Sequence, residues 1–98
     1  MDELDEFFLT DDIFEMVRSD FTETQHDVVE KLRDALTRND FKNAEILVHT
    51  LKTIAAMMAE EALSHMALQM ELGFKNKENP TEDTLKNLEA EVKNIINR

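Results

Sequence analysis

His49 and Lys52 are the residues of this chain best placed to do chemistry. They lie in a stretch whose apolar residues, Phe41, Ala44, Leu47, Val48, Leu51, Ile54, Ala55 and Met58, recur at helical spacing and read as one buried stripe. At about 100° per residue, His49 falls off that stripe, with Glu45, Lys52, Thr53 and Ala56 around it. A neutral imidazole on a rigid, exposed helix face offers a free ring nitrogen that can attack phosphorus at cellular pH. A lysine one turn on can reach the bound phosphoryl group as a point charge. The phosphorus–nitrogen bond so formed is labile, so the group can be passed to a carboxylate and taken back. The spacing suits phosphoryl handling.

The other candidate chemistries are thinner. His26 lies between Gln25 and Asp27 on the face opposite Phe21 and Val28, where solvent is the expected neighbour. His65 has Glu61 one turn before it, a spacing for a helix ion pair worth a few tenths of a kcal/mol. A di-metal bundle site needs two Glu-x-x-His motifs, and only Glu23-Thr24-Gln25-His26 has that form. There is no Gly-rich phosphate loop, no kinase signature and no clustered aspartate set for magnesium. The six methionines, including Met57, Met58, Met66 and Met70, read first as core filler.

Composition narrows the field further. At 98 residues, the chain is expected to form one domain spanning 1–98. A single Gly, a single Pro and an abundance of Leu, Ala, Glu, Lys and Met argue for helices throughout. A formal charge of −11 speaks against nucleic acid and against an anionic membrane surface as partners. With no cysteine, disulfide and thiolate chemistry are excluded. No apolar run approaches the roughly 18 residues of a membrane span. The acidic start, Met1-Asp2-Glu3-Leu4-Asp5-Glu6, is the opposite of a signal peptide, so a cytoplasmic location is expected.

The elements that must position His49 follow from periodicity and caps. Residues 1–9 are expected to form a short arm or helix carrying Phe7 and Phe8. Thr10 fits an N-cap, with Asp11 and Asp12 in the first turn and Leu9 and Phe14 spaced as a hydrophobic staple. Phe14, Val17, Phe21, Val28, Leu32, Ala35 and Leu36 then predict one helix running to about Arg38. Asn39 suits a left-handed closing position, and Asp40 suits the cap of the His49 helix, expected over 41–58. Beyond it the pattern continues through Ala62, Leu63, Met66, Met70 and Phe74 without a breaker, so periodicity alone allows one very long helix. After a polar loop at 75–79, Asn79, Pro80 and Glu82 fit N-cap, N1 and N3 of a last helix bearing Leu85, Leu88, Val92, Ile95 and Ile96.

Val48-His49-Thr50-Leu51-Lys52, preceded by Asn39-Asp40-Phe41, resembles the histidine-containing phosphotransfer (HPt) domain of phosphorelays. The resemblance covers about Thr10 to Met70, and Leu63 and Gln69 also fall where that family commonly has Leu and Gln. It implies a tight turn near Ala59 and hence an all-α, antiparallel up-down four-helix bundle over 10–98. It implies further that His49 accepts a phosphoryl group from a receiver-domain aspartate and passes it to another receiver, with Lys52 steadying it. Glu45, Ile46, Thr53, Ala56 and Met57 would then form the partner-binding rim. The chain would need no cofactor of its own, since the receiver brings the acidic pocket and Mg2+. Its partners would be response-regulator receivers and a hybrid sensor histidine kinase, met by a monomeric, non-enzymatic phosphocarrier. Two departures stand out: Thr53 where the family usually has Gly directly after the motif lysine, and Ala59 where a further Gly usually marks the turn. Thr53 shares the face of His49 and crowds the imidazole, so it is expected to narrow partner choice or slow transfer, unless its hydroxyl bonds back to the helix or to the phosphate. The rival reading is a degenerate, non-catalytic acidic module that binds a receiver or kinase without phosphotransfer.

Overall fold

The computed structural model describes residues 11–98. The expected arm, the Thr10 cap and the staple residue Leu9 lie outside that range. Among the described residues five helical segments follow one another: α1 (Asp11–Gln25), α2 (Val28–Thr37), α3 (Phe41–Met57), α4 (Glu61–Lys75) and α5 (Glu82–Ile96). α1 and α2 together take the place of the first long helix, so the architecture is the expected all-α four-helix bundle with its first member broken. α3 packs against α4, α2 and α1, while α5 closes the bundle between α4 and α2. Among the described residues no helix is long and apolar enough to cross a membrane.

The break after Gln25 corrects the expectation of one helix to about Arg38. At the break the His26 Nδ1–H donates to the carbonyls of Thr22 and Glu23, each at 3.1 Å. Thr24 Oγ1 likewise donates to the Asp20 carbonyl at 2.7 Å. Side chains inserted into the carbonyl ladder bend or end a helix without any Pro or Gly. His26 is thus exposed as expected, but its ring is bonded to backbone.

The hairpin that carries the site is held at both ends. Asp40 caps α3 by accepting from the Asn43 N–H at 3.1 Å, and Asn39 closes α2 at φ 56°, both as expected. At the other end α3 stops at the expected turn: Ala59 takes φ 58° and the Glu60 N–H donates to the Ala55 carbonyl at 2.9 Å. A left-handed alanine is strained by its Cβ. Ala59→Gly is therefore expected to raise stability by roughly 0.5–1 kcal/mol, read as a higher urea midpoint at unchanged slope. Across the turn, Ser64 Oγ donates to the Lys52 carbonyl at 3.2 Å, and at the far end the Phe41 and Phe74 rings lie 6.5 Å apart.

The core gathers Phe21, Val28, Leu32, Val48, Leu51, Leu63, Phe74, Leu88 and Ile95, with Ala44, Ala55 and Ala67 fully buried among them. The three alanines leave little between the backbones of α3 and α4, which brings polar side chains at the edge of that contact within bonding reach. α5 begins two residues later than its sequence suggests. Thr81, not Asn79, is the N-cap, accepting from the Thr84 N–H at 3.1 Å. Starting there puts Glu82 and Asp83 in the first turn, where the helix dipole favours them. It also lets Glu82 receive the Arg33 guanidinium through both oxygens, at 2.6 and 2.7 Å.

Candidate functional site

His49 sits midway along α3 with its side chain 59% exposed, off the buried stripe as its phase predicts. Its ring is nonetheless fixed. Nδ1 lies 2.8 Å from Glu71 Oε2, and the other carboxylate oxygen, Oε1, accepts from Lys52 Nζ at 2.7 Å. One carboxylate on α4 therefore bridges the two residues that the sequence sets one turn apart on α3.

That bridge decides the chemistry of the ring. A carboxylate can only accept, so Nδ1 carries the proton and the lone pair of the neutral imidazole sits on Nε2. The result is a nucleophilic nitrogen on an accessible ring whose orientation is set from behind. Charge is balanced too: the Glu71 side chain is only 6% exposed, and a buried carboxylate is stable there because it is paired. The Lys52 ammonium bonded to it holds the Glu71 carboxyl below its ordinary value, against the opposing effect of burial, and His49 adds in the same direction. Lowering favours the charged form, so Glu71 contributes stability at pH above the ordinary glutamate value and loses that contribution as pH falls through its folded value. The urea midpoint of the wild type is expected to fall more steeply than that of Glu71→Gln below about pH 4. Equal slopes for the two proteins would show that the bridge does not set the titration of Glu71.

The surroundings of the ring are as follows. Thr53 is exposed one turn on, and its hydroxyl donates to the His49 carbonyl at 3.0 Å. The expected bond back to the helix is thus formed. Glu45 is half-buried, and Glu45, Ile46, His49, Glu71 and Lys75 line a shallow hollow on the α4 side of the ring. Ile46 and Met57 are each 55% exposed, and Ala56 is exposed as well. On the α1 side a second groove runs past His49, Thr50 and Thr53 toward Met57. All the rim residues expected from sequence thus stand on or near the face of His49.

Gln69 does not. It lines a hollow between α4 and the start of α5 with His65, Met66 and Phe74, away from His49. The α4 residue that meets the histidine is Glu71, which the sequence reading passed over. A signal for it existed: Leu63, Ala67, Met70 and Phe74 set the buried phase of α4, and Glu71 falls inside that phase. A charged residue in a buried stripe needs a partner. His65 forms no ion pair with Glu61 among the described residues, and there no three acidic or histidine side chains are grouped to hold a metal ion.

The site is an exposed imidazole fixed through Nδ1 on the second long helix of an antiparallel bundle, beside a paired lysine. In comparison with protein families, the Hpt domain model matches residues 16–98. The chain belongs to the Hpt domain family, whose members are phosphocarriers in two-component signalling and not catalysts. Neither the curated proteins nor the solved structures yielded a match.

Proposed function

We propose that this chain is a phosphorelay intermediate whose phosphoryl group rides on His49 Nε2. The observation that carries the reading is the Glu71 carboxylate shared between His49 Nδ1 and Lys52 Nζ, which leaves Nε2 as the free nucleophile. The Nε2 lone pair attacks the phosphorus of an aspartyl phosphate on a receiver domain. The bond from phosphorus to the aspartate oxygen breaks, and its electron pair returns to that carboxylate. The ring becomes a phospho-imidazolium whose positive charge faces Glu71, and no proton has to move. Return of the group to a second receiver reverses the same steps. Mg2+ and the acidic pocket belong to the receiver; this chain supplies a fixed ring and its counter-charge.

Lys52 lies beside the imidazole with its side chain 27% exposed, close enough to turn from Glu71 toward an incoming phosphoryl oxygen. Glu45, Ile46, Thr53, Ala56 and Met57 border the approach to Nε2 and are assigned to partner contact. The donor is taken to be the receiver of a hybrid sensor histidine kinase and the acceptor a response regulator, met in the cytoplasm by a monomer. The test is to mix the chain with a panel of phosphorylated receivers and Mg2+ and look for acid-labile, alkali-stable label. Label from at least one receiver is expected. A folded chain that binds a receiver and takes no label from any would overturn this reading in favour of the non-catalytic module.

A further inference from the structure

Besides Lys52, a second lysine stands near the imidazole. Lys75, exposed in the last turn of α4, lines one hollow with Glu45, Ile46, His49 and Glu71. Its place follows from the helix pair. α3 and α4 run antiparallel and Glu71 meets His49 at 2.8 Å, so the residue one turn after Glu71 lies level with the residue one turn before His49. That sets Lys75 opposite Glu45, whereas Lys52 stands one turn beyond His49 on the other side. The ring is bracketed by two lysines along the bundle axis.

The two lysines are not equivalent. A Glu four residues before a Lys on a helix ordinarily pairs with it, and Glu71 holds that position relative to Lys75. Both Glu71 oxygens are taken, however, one by His49 Nδ1 at 2.8 Å and the other by Lys52 Nζ at 2.7 Å. Among the described residues Lys75 has no ion pair, either to Glu71 or to Glu45. A phosphoryl group on Nε2 brings negative oxygens to a hollow that already holds these two carboxylates. Lys52 can meet them only by leaving Glu71, whose side chain is 6% exposed, and a buried carboxylate that loses a partner is costly. Lys75 can meet them and leave nothing unpaired. We infer that Lys75 is the second cation of the phosphoryl site, holding oxygens of the group on His49 so that Lys52 need not leave Glu71. The inference rests on the phosphoryl role of His49 and adds to it the charge that stabilises the loaded state. Its ammonium donates hydrogen bonds and transfers no proton.

The position of the transfer equilibrium tests this. Lys75→Gln, checked for native helicity, is mixed with a phosphorylated receiver and Mg2+ until the label on His49 and on the receiver is constant. An exposed charge pair changes an equilibrium constant by up to about fivefold, so the label is expected to shift toward the receiver by about that factor. The single-turnover rate at saturation should fall with it, while KM stays near wild type. Lys75→Arg should restore both. Lys86→Gln removes the same charge from an exposed site on α5, which contributes no residue to the hollow, and should leave the equilibrium unchanged. An unchanged equilibrium in Lys75→Gln, with His49 still taking label, overturns the role of Lys75 and leaves the phosphocarrier reading intact. A change in KM alone, or in the denaturant midpoint alone as expected for a lost cation at a helix C-terminus, overturns it in the same way. An equal shift in Lys86→Gln assigns the effect to net charge and also overturns it. Absence of label on wild type from every receiver overturns the phosphocarrier reading itself.

Discussion

His49→Gln is expected to take no acid-labile label from any receiver while unfolding within about 1 kcal/mol of wild type. Loss of label follows from chemistry, since an amide has no nucleophilic nitrogen to replace Nε2. Retention of the fold follows from position. The side chain is 59% exposed and belongs to none of the buried residues that hold α3 in the bundle. Its one polar contact is the bond to Glu71, and a glutamine amide can donate to the same carboxylate. Glu71 also keeps Lys52, so the substitution leaves no unpaired buried charge. Denaturant midpoints and radiolabel on the same preparations check both halves. Label retained on His49→Gln would move the phosphoryl site elsewhere, with His65 and His26 the remaining histidines.

The phase of α3 explains why the exposure of His49 was legible in the sequence. The eight apolar residues of the stripe between Phe41 and Met58 leave little freedom in how that helix faces, and what does not face the core is read off by angle. Asn39 and Asp40 were equally legible, because a left-handed closing residue and an N-cap are written in single side chains. The break between α1 and α2 was not, since the apolar phase runs straight through it. His26 and Thr24 bond to carbonyls of their own helix there, local contacts that periodicity does not register. The start of α5 went astray for a related reason. Asn79 and Thr81 are both good caps, and a single-residue signal does not choose between them; Thr81 is the one that accepts from the N–H three residues on. Glu71 is the case with most consequence. Its role appears only when α3 and α4 are brought together, 22 residues apart in sequence at His49.

Truncating that carboxylate is expected to slow transfer more than any change at the rim of the site. Glu71→Ala removes the acceptor for Nδ1–H, so the ring can rotate and its proton can move to Nε2, which silences the nucleophile. It also removes the negative charge that faces the phospho-imidazolium. A hydrogen bond to a charged group contributes about 1.5–3 kcal/mol, so the single-turnover rate should fall on the order of 10²-fold. Glu71→Gln separates the two effects. Its amide oxygen still accepts from Nδ1 and holds the ring, while the charge is gone and the NH2 left on the side of Lys52 cannot accept from its ammonium. A neutral bond is worth roughly half a charge-assisted one, so a loss of about tenfold is expected for the amide. The order wild type, Gln, Ala would show that orientation and charge both act through the imidazole. The loss should appear in the rate at saturation and not in KM, because a side chain 6% exposed behind the ring has no surface to offer a partner. Should KM carry the loss instead, Glu71 would be acting by shaping the docking face around Lys52, and its hold on His49 Nδ1 would be incidental to transfer.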